Sequence, residues 1–188
     1  MTFDCRGLAP GSGATLPEAG TLLGLDKAPL GEALALLPGP HLAEGRGMLP
    51  AVRVLAGLGA VLADLPGVIA VCWNPAGSWM APDYFRKTAF DWLGGGAFPA
   101  LGLTTLKRER NGAMISQGLE LLIGQELRFE PDTELAPAQV ARIAVRMIHE
   151  LIERGPLAEA DEFAGPEGEP LLAVPVREGT QLRVMIRR

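Results

Sequence analysis

The 188-residue sequence predicts an α+β fold: a single domain with a mainly antiparallel sheet and helices packed on one face. Three observations predict it. Asn111-Gly112 stands between two runs of strand-forming residues, and Glu178-Gly179-Thr180 between two more, so strands come in hairpins. One long stretch, Pro137 to Arg154, has a clear helical period. Val140, Ile143, Ala144, Met147, Ile148 and Leu151 form its apolar stripe; Arg142, Arg146, His149 and Glu153 form the wet one. Hairpins mixed with helices favour α+β over a doubly wound sheet.

Taken in order, residues 1–47 are broken by Gly and Pro, from Pro10-Gly11-Ser12-Gly13 to Pro38-Gly39-Pro40. They read as an irregular arm packed on a body that spans residues 48–188. Within the arm only Leu30 to Leu37 reads as a short helix. Leu49 to Leu65 is the first strong helix, with Val52, Leu55, Leu58, Leu62 and Leu65 at helical spacing. Gly57, Ala60 and Ala63 are small enough for close approach to a sheet. Val68 to Trp73, a continuous β-branched run after Pro66-Gly67, reads as a central strand buried on both faces. Asn74-Pro75-Ala76-Gly77 ends it.

Ala81 to Leu93 reads as a helix, with Pro82 in its first turn and Gly94-Gly95-Gly96 as its stop. Phe98 to Leu106 reads as a strand, Lys107 to Gly112 as a polar turn, and Ala113 to Gln117 as the strand that pairs back. Gly118 to Gly124 is ambiguous between helix and loop. Glu126 to Glu130 alternates as a strand with one wet face. After the long helix, Gly155-Pro156 closes it. Leu171 to Val176 and Leu182 to Ile186 form the last hairpin, and Arg183 and Arg187 on its outer face discourage edge-to-edge association.

Composition bounds the function. The chain is 48% hydrophobic and 21% charged, with net charge -5 and pI near 5.1. A chain of this size buries roughly two thirds of its unfolded surface and needs no metal or disulfide to hold a core. Its acidity argues against nucleic acid, which wants a basic stripe. Cys5 and Cys72 are too few for a disulfide framework. Met1 to Arg6 lacks the basic flank and apolar stretch of a signal peptide. The expected location is a reducing, cytoplasmic one. Leu49 to Trp73 is long and apolar enough to raise a membrane span. Arg53 and Asp64 argue against it, each costing roughly 2.5–3.5 kcal/mol at a bilayer centre, and Leu65-Pro66-Gly67 is turn chemistry. No membrane partner is expected.

The chemistry is sparse. Gly57-Leu58-Gly59 opens like a dinucleotide fingerprint, but Leu62 stands where the third small residue belongs, and the run is helical. Only His41 and His149 are present, and no Cys-x-x-Cys, so neither a metal nor a cofactor is expected. Ser12, Ser78 and Ser116 lack a nucleophile-elbow context, and Cys72 on a buried strand reads as inert. No catalytic residue is assigned. Glu120 and Glu126 flank Gly124-Gln125 and are candidates for paired carboxylates of a hydrolase or lyase. The plainer reading of Glu126 is a solvated position on its strand. The tryptophans, Trp73, Trp79 and Trp92, cluster with Tyr84, Phe85 and Phe90. Trp92 and Phe85 read as core. Trp79 and Tyr84, beside Asn74 and Ser78, form a candidate binding surface.

Several short motifs carry a resemblance. Val71-Cys72-Trp73, Ala81-Pro82-Asp83-Tyr84-Phe85, Phe98-Pro99-Ala100-Leu101, Ser116-Gln117-Gly118-Leu119 and Gly124-Gln125-Glu126-Leu127 together resemble the bacterial domain-of-unknown-function family 4261, over roughly residues 50–188. In that family the last motif is Gly-x-x-Glu-Leu, one residue longer than here. The resemblance implies an intracellular bacterial protein without a known catalytic centre. It also marks Gly118 and Gly124 as positions where the backbone needs glycine.

The leading expectation is thus a non-catalytic binding or protein-interaction module using the Asn74 to Tyr84 loop, with a protein partner and with self-association left open. The alternatives are the carboxylate enzyme and a toxin-neutralising, immunity-type protein, the latter suggested by acidity and size alone.

Overall fold

In the computed structural model, which describes residues 20–39, 47–132 and 134–187, the chain divides between Gly96 and Ala97 into two units. The division falls inside the stretch read above as one body. Cys5, Ser12 and His41 lie outside the described residues.

In the first unit, helix α1 (Leu49–Leu62) starts with a proline in its first turn, and the N–H of Ala63 closes it on the Gly59 carbonyl at 2.8 Å. Helix α2 (Pro82–Leu93) also starts on proline and carries Asp83 in its first turn, where the helix dipole favours an acid. The two helices pack together. A Cβ on Gly57 would sit 3.1 Å from Leu93 Cδ1, and one on Gly59 3.2 Å from Phe85 Cε1. The small residues of α1 therefore bring it close to a helix, not to a sheet as expected. Arg53 joins the pair: its Nη2 donates to the carbonyls of Trp92 (3.3 Å) and Leu93 (3.0 Å), and its guanidinium lies 4.8 Å from the centre of the Trp92 ring.

A three-stranded sheet completes this unit, in the order β1 (Thr21–Leu23), β3 (Ser78–Met80), β2 (Val71–Trp73). Strand β1 runs parallel to β3; β2 runs antiparallel to it through a 3-10 turn at Asn74–Ala76 and Gly77 at φ 61°. Three expectations are corrected. Strand β1 is regular structure inside the stretch read as irregular. The β-branched run supplies an edge strand of three residues, half-buried, because Val68 and Ile69 are taken up by an exposed turn after α1. The central, buried strand is Ser78–Met80. Leu30–Leu37 forms neither helix nor strand and is exposed throughout. Eight residues do not repay helix nucleation without a face to pack on.

The second unit is a six-stranded sheet, ordered β4 (Thr105–Arg108), β5 (Met114–Gln117), β6 (Glu126–Phe129), β9 (Gln181–Ile186), β8 (Pro170–Val176), β7 (Asp161–Ala164). All its pairings are antiparallel except β6 with β9, so the sheet is mixed although mainly antiparallel. Phe98 to Leu106 is not one strand. Ala100–Leu103 makes a single distorted turn, α3, broken at Gly102 (φ 137°), and the chain extends only from Thr105. The β4–β5 hairpin turns at Asn111-Gly112 as expected, with Asn111 Oδ1 accepting the Ala113 N–H at 2.9 Å. The ambiguous stretch holds a one-turn helix, α4 (Glu120–Ile123). Strand β7 was not expected.

Helix α5 (Pro137–Arg154) packs on β5 and β6 through Ile143, Ala144, Met147, Ile148 and Leu151. The sheet meets it with Leu127, Phe129, Leu182 and Val184. At its start Gln139 Oε1 accepts the Ala136 N–H at 2.9 Å; the reciprocal bond is missing because alanine has no oxygen to offer. At its end Arg154 pairs with Glu150 (3.0 Å) and Asp161 and covers the Phe163 ring at 5.0 Å. The Arg154 guanidinium, followed by the Glu162 N–H, holds the Asp161 carboxyl below its ordinary pKa. Among the described residues no helix is long and apolar enough to cross a membrane.

Candidate functional site

The sequence-selected loop does not present its aromatics. Trp79 is 5% exposed and Ser78 fully buried, because both belong to the central strand of the small sheet. Asn74 is exposed on the 3-10 turn, and Tyr84 is half-buried on α2, where its carbonyl accepts the Thr88 hydroxyl at 2.9 Å. Trp79 pairs across the strands with Cys72 and Leu22, so its indole shares their face of the sheet. Trp79 as an exposed anchor is therefore corrected. Alternation along a three-residue strand gave no sign of burial on both faces. Burial also pushes the Cys72 thiol up to about 11, so it stays protonated and a poor nucleophile.

Glu120 and Glu126 meet through the Glu120 backbone rather than as two facing carboxylates. Glu126 lies at the start of β6 and reaches back over the β5–α4 turn. One carboxylate oxygen accepts the N–H groups of Gly118 (2.7 Å) and Glu120 (3.1 Å); the other accepts the Ser116 hydroxyl. The Ser116 oxygen in turn accepts the Leu127 N–H at 2.7 Å. Glu120 contributes its backbone; its side chain is exposed. Burial raises the Glu126 pKa, while the bonds from Ser116, Glu120 and Gly118 oppose the rise and the Glu120 charge adds to it. Glu126 is thus not solvated, contrary to what its strand alternation suggested; both its carboxylate oxygens are engaged. It holds a turn.

Gln125, missed in the sequence, completes this knot. It is 3% exposed; its amide N–H groups donate to Leu157 O and Gly179 O, and its Oε1 accepts Leu157 N–H, all at 2.8 Å. One side chain thereby ties the start of β6 to the loop after α5 and to the β8–β9 turn. Gly118 (φ 93°) and Gly124 (φ 77°) both sit in the region closed to most side chains. The motifs Ser116-Gln117-Gly118-Leu119 and Gly124-Gln125-Glu126-Leu127 are therefore a structural device.

Three other places stand out. His149, expected on the wet face of α5, is half-buried with its ring edge-on to Phe98 (6.4 Å between centroids, 81°). No group of three or more His, Cys, Asp or Glu is placed to hold a metal ion among the described residues. A cavity of about 200 Å³ opens beyond the end of β6 and beside the last residues of β9, against Val140 and Ile143 of α5. Leu30, Leu34 and Leu37 stand out from the first unit, as do Leu58, Val61 and Leu65 along one side of α1 and the turn after it.

No protein-family model matches this chain, and comparison with curated proteins and with solved structures yields no match.

Proposed function

We propose that this chain is a non-catalytic protein-interaction module of the bacterial cytoplasm, acting through the Leu30–Leu37 segment. The observation that carries the reading is the exposure of that run: Leu30 is 89%, Leu34 59% and Leu37 76% exposed. Exposed apolar groups in this density mark interaction surfaces in soluble proteins. Leu30, Leu34 and Leu37 would share one face of a helix. Glu32, Ala33, Ala35 and Leu36 between them favour helix, against a cost of about 1 kcal/mol for Gly31, and Pro29 and Pro38-Gly39 bracket the run with start and stop chemistry. A segment helical in pattern yet without helix on its own suits folding into an apolar groove of a partner protein, a second copy of the chain included. The reading agrees with the resemblance to family 4261, which carries no known catalytic centre. An enzyme working through Glu120 and Glu126 is disfavoured by the three donors that already occupy the Glu126 carboxylate.

Native mass spectrometry of protein purified gently from its own host tests this. The expected result is a complex in the wild type that is absent from a folded Leu30→Ser/Leu34→Ser/Leu37→Ser variant. A monomer without partner, or a complex that survives the triple substitution, overturns it.

A further inference from the structure

The cavity in the second unit follows from how β6 ends. Its ladder with β9 closes at Phe129 opposite Val184, followed by one bond from Glu130 N–H to Val184 O at 3.0 Å. Pro131 has no N–H to continue the ladder, and the chain turns away towards α5. Strand β9 runs on to Ile186, still paired with β8 on its other side. The overhang of β9, the departing chain and the second turn of α5 enclose the space.

The lining has two characters. Phe129, Val140, Ile143 and Val184 make apolar walls, and Glu130 and Asp132 are the charged groups. No basic side chain lines it among the described residues. Arg128 reaches Glu130 at 3.7 Å but sits closer to Glu109, at 2.7 Å. Asp132 Oδ1 accepts the Glu134 N–H at 2.8 Å, which fixes the carboxylate at the end of the strand. We propose that this cavity binds a small primary amine with an apolar body, of the arylalkylamine class, its ring between Phe129 and α5 and its ammonium towards Glu130 and Asp132. The size fits: apolar cavities of about 150 Å³ take up benzene, and about 200 Å³ leaves room for a short aminoalkyl group. Apolar walls with a few placed polar groups are the usual make-up of small-molecule sites. The site lies within Ala97–Arg188 and does not depend on the leucine surface.

The test uses three probes of one shape, 2-phenylethylamine, 2-phenylethanol and 3-phenylpropionate, titrated into the full chain by calorimetry and by methyl NMR. The amine is expected to saturate, to bind roughly tenfold or more tighter than the propionate, and to shift the methyl signals of Val140, Ile143 and Val184. Glu130→Gln with Asp132→Asn should weaken the amine by about tenfold and leave the alcohol unchanged. Val140→Phe, which fills the cavity, should abolish all binding. Equal affinity for amine and propionate, no saturable binding of the amine, or methyl shifts elsewhere in the chain overturns the proposal. The shift map needs only the wild-type protein, so it decides the matter even if Val140→Phe does not fold.

Discussion

The β5–α4–β6 knot and the Leu30–Leu37 segment are opposites. In the knot, Ser116, Gln125 and Glu126 are polar side chains with their hydrogen-bonding groups engaged inside the protein. In the segment, leucines stand in solvent on a backbone without regular structure. Residue types that usually do chemistry are here building the fold, and residue types that usually build the fold are left outside it. A buried polar group is kept only if bonded, since leaving it unpaired costs about 1–3 kcal/mol. An exposed leucine costs the folded state little and gains only when something covers it. Polarity in a sequence therefore says less about function than whether each group has found its partner.

Substitutions can break or sharpen that contrast. The largest effect is expected inside, at Trp79→Ala, which removes a buried aromatic from the central strand and should cost about 3–5 kcal/mol in urea unfolding. A loss under about 1 kcal/mol would return Trp79 to the surface. Gln125→Ala strands Leu157 N–H, Leu157 O and Gly179 O, so it should cost about 3 kcal/mol or more. A neutral result would mean that the knot does not hold the second unit together.

Glu126 gives a pH signature. Its carboxyl pKa is raised in the fold by burial, so the folded state binds the proton more tightly than the unfolded one. Its stabilising share is complete below the unfolded pKa, near 4.3, and is lost as pH rises through the raised folded value. Glu126→Gln does not titrate, so wild type should lose ground to this variant as pH rises above the unfolded value. Unfolding curves at several pH values measure it, and an NMR midpoint for Glu126 at or below that of a free glutamate would contradict it.

The smallest effect on stability is expected outside. The triple Leu30, Leu34 and Leu37 to Ser variant should unfold within about 0.5 kcal/mol of wild type while its association is lost. A large destabilisation would show that the leucines belong to the core.

The legible parts of the fold were the long or strongly signalled ones. α5 declared itself because five turns of helical period leave no other reading, and the β4–β5 hairpin because Asn111-Gly112 marks a turn between two strand-forming runs. What escaped were three- and four-residue elements. Strand β3 has too few residues for a period to show, and β7, Asp161–Ala164, is polar on an outer edge. Of the site, the roles of Glu120 and Glu126 were not legible: the Glu120 backbone N–H, not its carboxylate, meets Glu126. Which atom of Glu120 faces Glu126 depends on the α4 turn, and that turn depends on Gly118 and Gly124 taking positive φ. Gln125 gave no signal at all, since its partners lie 32 and 54 residues away.

The single parallel pairing bears on the order of assembly. β4–β5–β6 and β7–β8–β9 are two meanders, each made by neighbours in sequence, and only the β6–β9 ladder joins them into one sheet. Closing that seam brings together residues roughly fifty positions apart, so its entropy cost falls due before its bonds can repay it. The seam should therefore zip late, after α5 has settled on β5 and β6. The Gln125 bond to Gly179 in the β8–β9 turn forms only once it has closed. Stopped-flow kinetics should then find that Gln125→Ala speeds unfolding and leaves the folding rate nearly unchanged.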